Sequence, residues 1–280
     1  MRLILMGDLH YHDIDEAVEG LREARAAFYE TYLGRFLEMD ANYHISLGDL
    51  TNYGTVSELR EVYEILGSKE RSFIHVLGNH DLYAQKKMDV LRMTGQKEYH
   101  AIDAGKAILV FLNTAKEMDF EDWGGWIDEE QLHWFEQTVK TSGSKPMLVF
   151  AHHPVFETTA RSEKEKGSIH PDIDMWSILK QKQGQGLFFN GHTHVDSIIR
   201  QHNWTFVQLS AGLDQHGFRI VDMKEDEIRI MAVDVTDAAL TDHAPILHRH
   251  MKHFGHNPDA RGMDADRETI VNLLTTVQGG

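Results

Sequence analysis

The sequence contains no cysteine, which excludes disulfides, thiolate zinc sites, iron–sulfur clusters and cysteine nucleophiles. It is short of basic residues: 28 Lys+Arg stand against 44 Asp+Glu, a net charge of −16. That balance argues against sequence-independent nucleic-acid binding and against docking on anionic membrane. Long hydrophobic runs are also missing. Ala107 to Leu112 is among the longest, far below the ~20 residues of a membrane span. Arg2 is followed by only four apolar residues before Gly7-Asp8, too few for a signal segment, so a cytoplasmic protein is expected. No repeat or low-complexity linker divides the 280 residues, and a chain of this size buries roughly 75% of its unfolded surface without a staple.

What is abundant is histidine, at 19 residues. With no thiol, His, Asp, Glu and Asn remain as metal ligands. Most of these histidines need be no more than polar surface, so their placement decides.

Short apolar runs end abruptly in Gly or Asn plus ionisable groups: Leu3–Met6 before Gly7-Asp8-Leu9-His10, His44–Leu47 before Gly48-Asp49, and Phe73–Leu77 before Gly78-Asn79-His80-Asp81. Met147–Ala151 precedes His152-His153-Pro154, and Leu187–Phe189 precedes Asn190-Gly191-His192-Thr193-His194. Such runs read as strands buried on both faces. Helical spacing is expected over Glu16–Met39, Ser57–Leu66 and Asp128–Thr141, the last with acids in its first turn. Alternating strands and helices imply crossovers and mainly parallel pairing. Beyond residue 195, four close strands (Val195–Gln201, Trp204–Leu209, Phe218–Met223, Ile228–Val233) are expected to form a second, more antiparallel sheet. A polar segment from 236, rich in histidine, closes with a short helix over 268–277. The expected fold is an α/β/β/α sandwich, with helices outside a mixed sheet and a more antiparallel one. Residues 1–235 are expected to form the catalytic domain, with 236–280 as an extension packed on it.

In open α/β sheets ligands bind outside the carboxyl ends of strands. All five clusters sit there, which brings Asp8, His10, Asp49, Asn79, His80, His152, His192 and His194 to one pocket. His192 and His194 alternate along an extended stretch and should point the same way. Seven N/O ligands exceed one tetrahedral site but suit two ions sharing a carboxylate, with Mn, Fe or Zn preferred over Ca or Mg.

The set Asp8-x-His10, Gly48-Asp49, Gly78-Asn79-His80-Asp81, His152-x-Pro154 and Gly191-His192-x-His194 resembles the calcineurin-like metallophosphoesterases, over roughly residues 1–223. In motif style it is closest to the bacterial class III cyclic-nucleotide phosphodiesterase branch. Leu112-Asn113-Thr114 and Gly217-Phe218-Arg219-Ile220 add looser likeness. The resemblance implies a first metal on Asp8, His10 and His194, a second on Asn79, His152 and His192, and Asp49 between them. It implies a metal-bridging hydroxide attacking phosphorus, with His80 at the leaving group. Purple acid phosphatases carry a tyrosine ligand where this chain has Asn52, and other relatives an acid there that orients the catalytic histidine; Asn52 can accept from His80 but brings no charge.

Asp81 is expected as a turn or supporting residue and His153 as a hydrogen-bonding or packing residue turned away from His152. His12 and His216 are expected at the pocket rim or on the surface. The charged 157–170 stretch is read as a solvated loop or a lid. Trp123, Trp126 and Trp134 are read as core, and an aromatic edge at Trp204 as a hint of a homodimer. The expected function is hydrolysis of a small phosphoester, favoured as a cyclic-nucleotide-type phosphodiester. A phosphomonoesterase and a non-catalytic scaffold are the alternatives.

Overall fold

A computed structural model describes residues 1–15 and 17–273. Two six-stranded sheets lie face to face. In the first, β1 (Arg2–Met6) runs parallel to β2 (Tyr43–Ser46), and β2 to β3 (Phe73–His75). On its other side β1 pairs antiparallel with β10 (Gly217–Met223), which leads to β11 (Glu227–Asp234) and β12 (Glu268–Asn272). The second sheet runs β4 (His100–Asp103), β5 (Ile108–Phe111), β6 (Met147–Phe150), β7 (Gly186–Asn190), β9 (Trp204–Gln208) and β8 (Ser197–Gln201). Its pairs from β5 to β9 are parallel and both edge pairs antiparallel.

Alternation explains the unbroken apolar runs. Leu3 and Leu5 point between the sheets, against Phe111, Leu148, Phe150 and Phe189. Ile4 and Met6 point outward, under the Phe28, Tyr32 and Phe36 face of α1 (Leu21–Glu38). On the outer side of the second sheet, Val110, Val149 and Phe188 meet Phe135 and Val139 of α4 (Glu129–Thr141). α2 (Val56–Leu66) is held at its start by a reciprocal Thr55–Glu58 capping box. Short helices α3 (Lys87–Thr94) and α5 (Met175–Leu179) fill connections.

Several expectations are corrected. The strands after 195 do not form their own sheet: β8 and β9 join the second and β10–β12 the first. The chain crosses at the Ala211–Gln215 turns, because β10 carries apolar residues to both faces and fits only beside buried β1. α1 begins at Leu21, since Gly20 takes φ 76°, and Glu16 lies outside the described residues. The expected helix over 268–277 is instead β12, whose Val271 pairs with Ile228; residues 274–280 lie outside the described residues. The polar C-terminal segment contains α6 (Ala238–His250), which lays Leu240, Ala244 and Leu247 against the α1 cluster. Trp204 is fully buried, its indole N–H donating to Leu179 O at 2.9 Å, so it offers no surface for self-association. No described helix is long and apolar enough to cross a membrane.

Candidate metal centre

Because β1, β2 and β3 are mutually parallel, as are β6 and β7, the loops after them leave the sandwich at one edge. Main-chain amides fix the carboxylates there: His192 N donates to Asp8 Oδ2 at 2.9 Å and His80 N to Asp49 Oδ1 at 2.9 Å. Both are charge-assisted bonds across loops distant in sequence. His10, Asp49, His192 and His194 have positive φ, between 46° and 73°, a conformation costly for non-glycine residues that clusters at functional sites. His192 and His194 therefore do not alternate on an extended stretch. They diverge from a left-handed turn, His192 toward His152 and His194 toward Asp8 and His10.

Around Asp8, His194 Nε2 lies 3.0 Å from Asp8 Oδ2 and 3.1 Å from His10 Nε2. His10 Nδ1 faces Asn52 Oδ1 at 3.2 Å, while Asn52 Nδ2 donates to Lys252 O, so His10 keeps a lone pair on Nε2 when neutral. Around Asp49, His152 Nε2 lies 3.3 Å from Asp49 Oδ2, 3.1 Å from Asn79 Oδ1 and 3.2 Å from His192 Nδ1. The outer nitrogens of both rings donate to carbonyls, His152 Nδ1 to Leu47 O and His192 Nε2 to Lys166 O, each at 2.9 Å. Asn79 Nδ2 donates to Tyr83 Oη at 2.7 Å, which turns its oxygen inward.

The inward atoms are thus nearly all acceptors, and buried acceptors facing one another are unfavourable. Protons record the conflict. Burial opposes charge on His152, but Asp49 raises its pKa to about 9. Burial also opposes ionisation of Asp49, yet His152, His80 and His10 hold its pKa well below the ordinary carboxylate value. His192 is pushed down to about 4 by burial and by His152. One proton on His152 then faces three acceptors. A cation satisfies them all, and imidazole nitrogen with carboxylate and amide oxygen is a donor set for divalent transition ions. The residues fit a metal centre, with ligand groups Asp8–His10–His194 and Asp8–Asp49–His152.

The chain belongs to the calcineurin-like phosphoesterase family. The model of that family matches residues 1–196. Among curated relatives, 27% identity over 174 residues relates the chain to glycerophosphodiester phosphodiesterase GpdQ of Enterobacter lignolyticus, covering 60% of this chain and 61% of that protein. A probable cyclic nucleotide phosphodiesterase of Rhodopseudomonas palustris is 23% identical, over 69% of this chain and 72% of its own. Among solved structures, a dimetal phosphatase from Danio rerio superposes with TM-score 0.69 at 16% identity, covering 83% and 96% of the two chains. The Plasmodium inner-membrane-complex anchor GAP50 superposes at 0.56, with 13% identity and 84% coverage of each. The last two establish the shared sandwich fold.

The supporting residues fall into place differently from expectation. His80 Nδ1 donates to the main-chain oxygen of Asn52 at 2.8 Å, not to its side chain. His153 does not turn away from His152, since the chain bends there; the rings meet edge-on with centroids 4.8 Å apart. Its nitrogens are engaged by Thr114 Oγ1 and Trp123 O, which removes it as a ligand. Asp81 is buried and accepts from Thr51 N, Thr51 Oγ1 and Gly78 N, so it ties the Asp49 and Asn79 loops together. His12 is no rim residue: it is buried, with Nδ1 3.1 Å from Tyr29 Oη. His216 lies edge-on to Phe28 with centroids 5.5 Å apart and does not line the cavity.

A cavity of about 490 Å³ opens on the centre. Asp49, Asn79, His80, His192 and His194 form its floor, and Arg161, Lys164, Phe120 and Tyr83 stand in its wall. The 157–170 segment is therefore a wall of the site. Trp123, expected in the core, is 43% exposed at the mouth, and Trp126 is exposed beside His170. Sequence reasoning missed the roof: Phe254 packs against both His10 and His194, each with ring centroids 5.0 Å apart. Its only sequence signal is an isolated aromatic among histidines.

Proposed function

We propose that this metallophosphoesterase is a dimetal phosphodiesterase of cyclic-nucleotide type. One ion would be held by Asp8, His10 and His194, the other by Asn79, His152 and His192, with Asp49 between them. Such a pair supplies an activated water at neutral pH and neutralises charge on the phosphoryl oxygens. Mn, Fe and Zn all suit these donors.

The chain's own groups do the rest. The Nδ1 bond to Asn52 O fixes the His80 ring, leaving Nε2 free to hold a proton for the departing oxygen, a contribution typically of 10²–10⁴-fold. Arg161 and Lys164, with Glu165 beside them in the same wall, offer cationic groups to an anionic substrate. Phe120 stacks on Tyr83 at 4.2 Å and 19° and is 46% exposed, a flat face suited to a nucleobase.

The observation that carries the reading is the meeting of acceptor atoms from Asp49, Asn79, His152 and His192 beside Asp8, His10 and His194. The test compares bis-p-nitrophenyl phosphate with p-nitrophenyl phosphate, then cyclic AMP isomers with a glycerophosphodiester. Faster diester turnover is expected, with loss on Asp49→Ala or Asn79→Ala. Phe120→Ala should raise KM for cyclic AMP more than for the glycerophosphodiester. Full activity in Asp49→Ala sinks the dimetal reading, and preference for the monoester or glycerol diester sinks the finer one.

A further inference from the structure

A second cluster of metal-type donors lies behind the roof, and none of its members belongs to the centre described above. Asp214, in the turn before β10, points its carboxylate at two histidines from the C-terminal segment. Its Oδ1 lies 2.7 Å from His256 Nδ1 and 3.5 Å from His248 Nε2. One ligand atom from each of the three lies within 4.8 Å of the others. Tetrahedral bonds of about 2.0–2.2 Å from an N/O set to a divalent ion place neighbouring donors roughly 3.3–3.6 Å apart, a span that the His248 separation meets and the His256 separation reaches by opening less than about 1 Å.

One of these donor atoms, His248 Nε2, is buried without a hydrogen bond, and so is the second oxygen of Asp214, Oδ2, on a side chain that is wholly inaccessible. A buried carboxylate oxygen or imidazole nitrogen without a hydrogen bond is costly. A carboxylate with two imidazoles on one face is a recurring divalent-metal arrangement.

We propose that Asp214, His248 and His256 bind one further divalent transition ion. The ion would staple the C-terminal segment over the catalytic cavity. His248 lies at the end of α6 and stacks on Phe254 at 5.5 Å and 9°, and Phe254 covers His10 and His194. Asp214 Oδ2 also stands 3.7 Å from His194 Nδ1, so the same carboxylate backs a ring of the floor.

Zn²⁺ is titrated into metal-stripped full-length protein, and bound metal is counted by elemental analysis. Wild type is expected to hold three ions per chain, and His256→Ala two or a third bound more than about tenfold weaker, the scale of losing even a supporting partner. His256 is half exposed, so its replacement leaves packing intact, and His256→Asp should restore the third ion. An Asp8→Ala/Asp49→Ala/Asn79→Ala variant, which removes donors from both floor sites, is expected to retain one tight ion that His256→Ala removes. Equal stoichiometry and affinity in wild type and His256→Ala overturn the site and leave an Asp214–His256 ion pair. Loss of every ion from Asp8→Ala/Asp49→Ala/Asn79→Ala also overturns it. Absence of metal from the floor alone, with one ion still lost on His256→Ala, counts against the dimetal reading and not against this site.

Discussion

Nδ1 of His80 lies 2.8 Å from the main-chain oxygen of Asn52, while the Asn52 side chain bridges His10 to Lys252 O. The orientation of His80 is therefore independent of the side chain at 52. Asn52→Ala is expected to lower kcat by no more than roughly tenfold, through looser His10. His80→Ala should lower it by about 10²–10⁴-fold with metal content unchanged. Steady-state kinetics with metal analysis of both variants checks this; equal losses refute it.

Asp81 and His75 form a fully buried pair, Oδ2 to Nε2 at 2.9 Å, and the same carboxylate receives amides from two ligand loops. Leaving the buried donors that face this carboxylate unsatisfied costs about 1–3 kcal/mol. Asp81→Ala should lose stability on that scale in urea unfolding and shed activity as the loops part. A loss below about 1 kcal/mol would remove Asp81 from this role.

Gly191 and Gly78 sit against the carboxylates. A Cβ on Gly191 would overlap Asp8 Oδ1, and one on Gly78 would overlap Asp49 Oδ1 and its amide nitrogen. Alanine at either position is expected to displace the carboxylate, cutting metal affinity and turnover while far-UV dichroism keeps the native spectrum. Wild-type metal affinity in Gly191→Ala contradicts the close approach.

His12 is buried, and burial together with Arg25 pushes its pKa to about 4. The unfolded chain binds that proton near the ordinary value of about 6.5, so between these values the unfolded state holds more protons. Stability is present above about pH 6.5 and is lost as pH falls toward 4, by up to about 3 kcal/mol from this group. Urea unfolding of metal-free protein from pH 4 to 7 should show a shallower acid loss in His12→Gln than in wild type. Parallel curves would exclude the contribution.

Strand ends were legible because their chemistry is local. Four-residue apolar runs such as Leu3–Met6 can only be buried on both faces, and Gly-bounded Asp8, Asp49 and Asn79 mark where they stop. The acidic first turn opening at Asp128 was local too, whereas the Thr55–Glu58 capping box, which starts the second helix before Ser57, was not read. Illegible features depend on neighbours far along the chain. Nothing near Asn52 says that its carbonyl, and not its side chain, meets His80. β-branched Thr269–Val271 became a strand only because β11 offered a free edge, and His12 left the rim because Tyr29 of α1 lay beneath it.

Donor types, their order and their position after buried strands are local properties of the chain, since hydrophobic periodicity and turn chemistry act over a few residues. Which donors face one another, which carbonyl fixes each imidazole, and the placing of Phe254 over the floor arise only from long-range packing. Those outcomes follow from through-space satisfaction of buried polar atoms, a condition that no local stretch of sequence can impose.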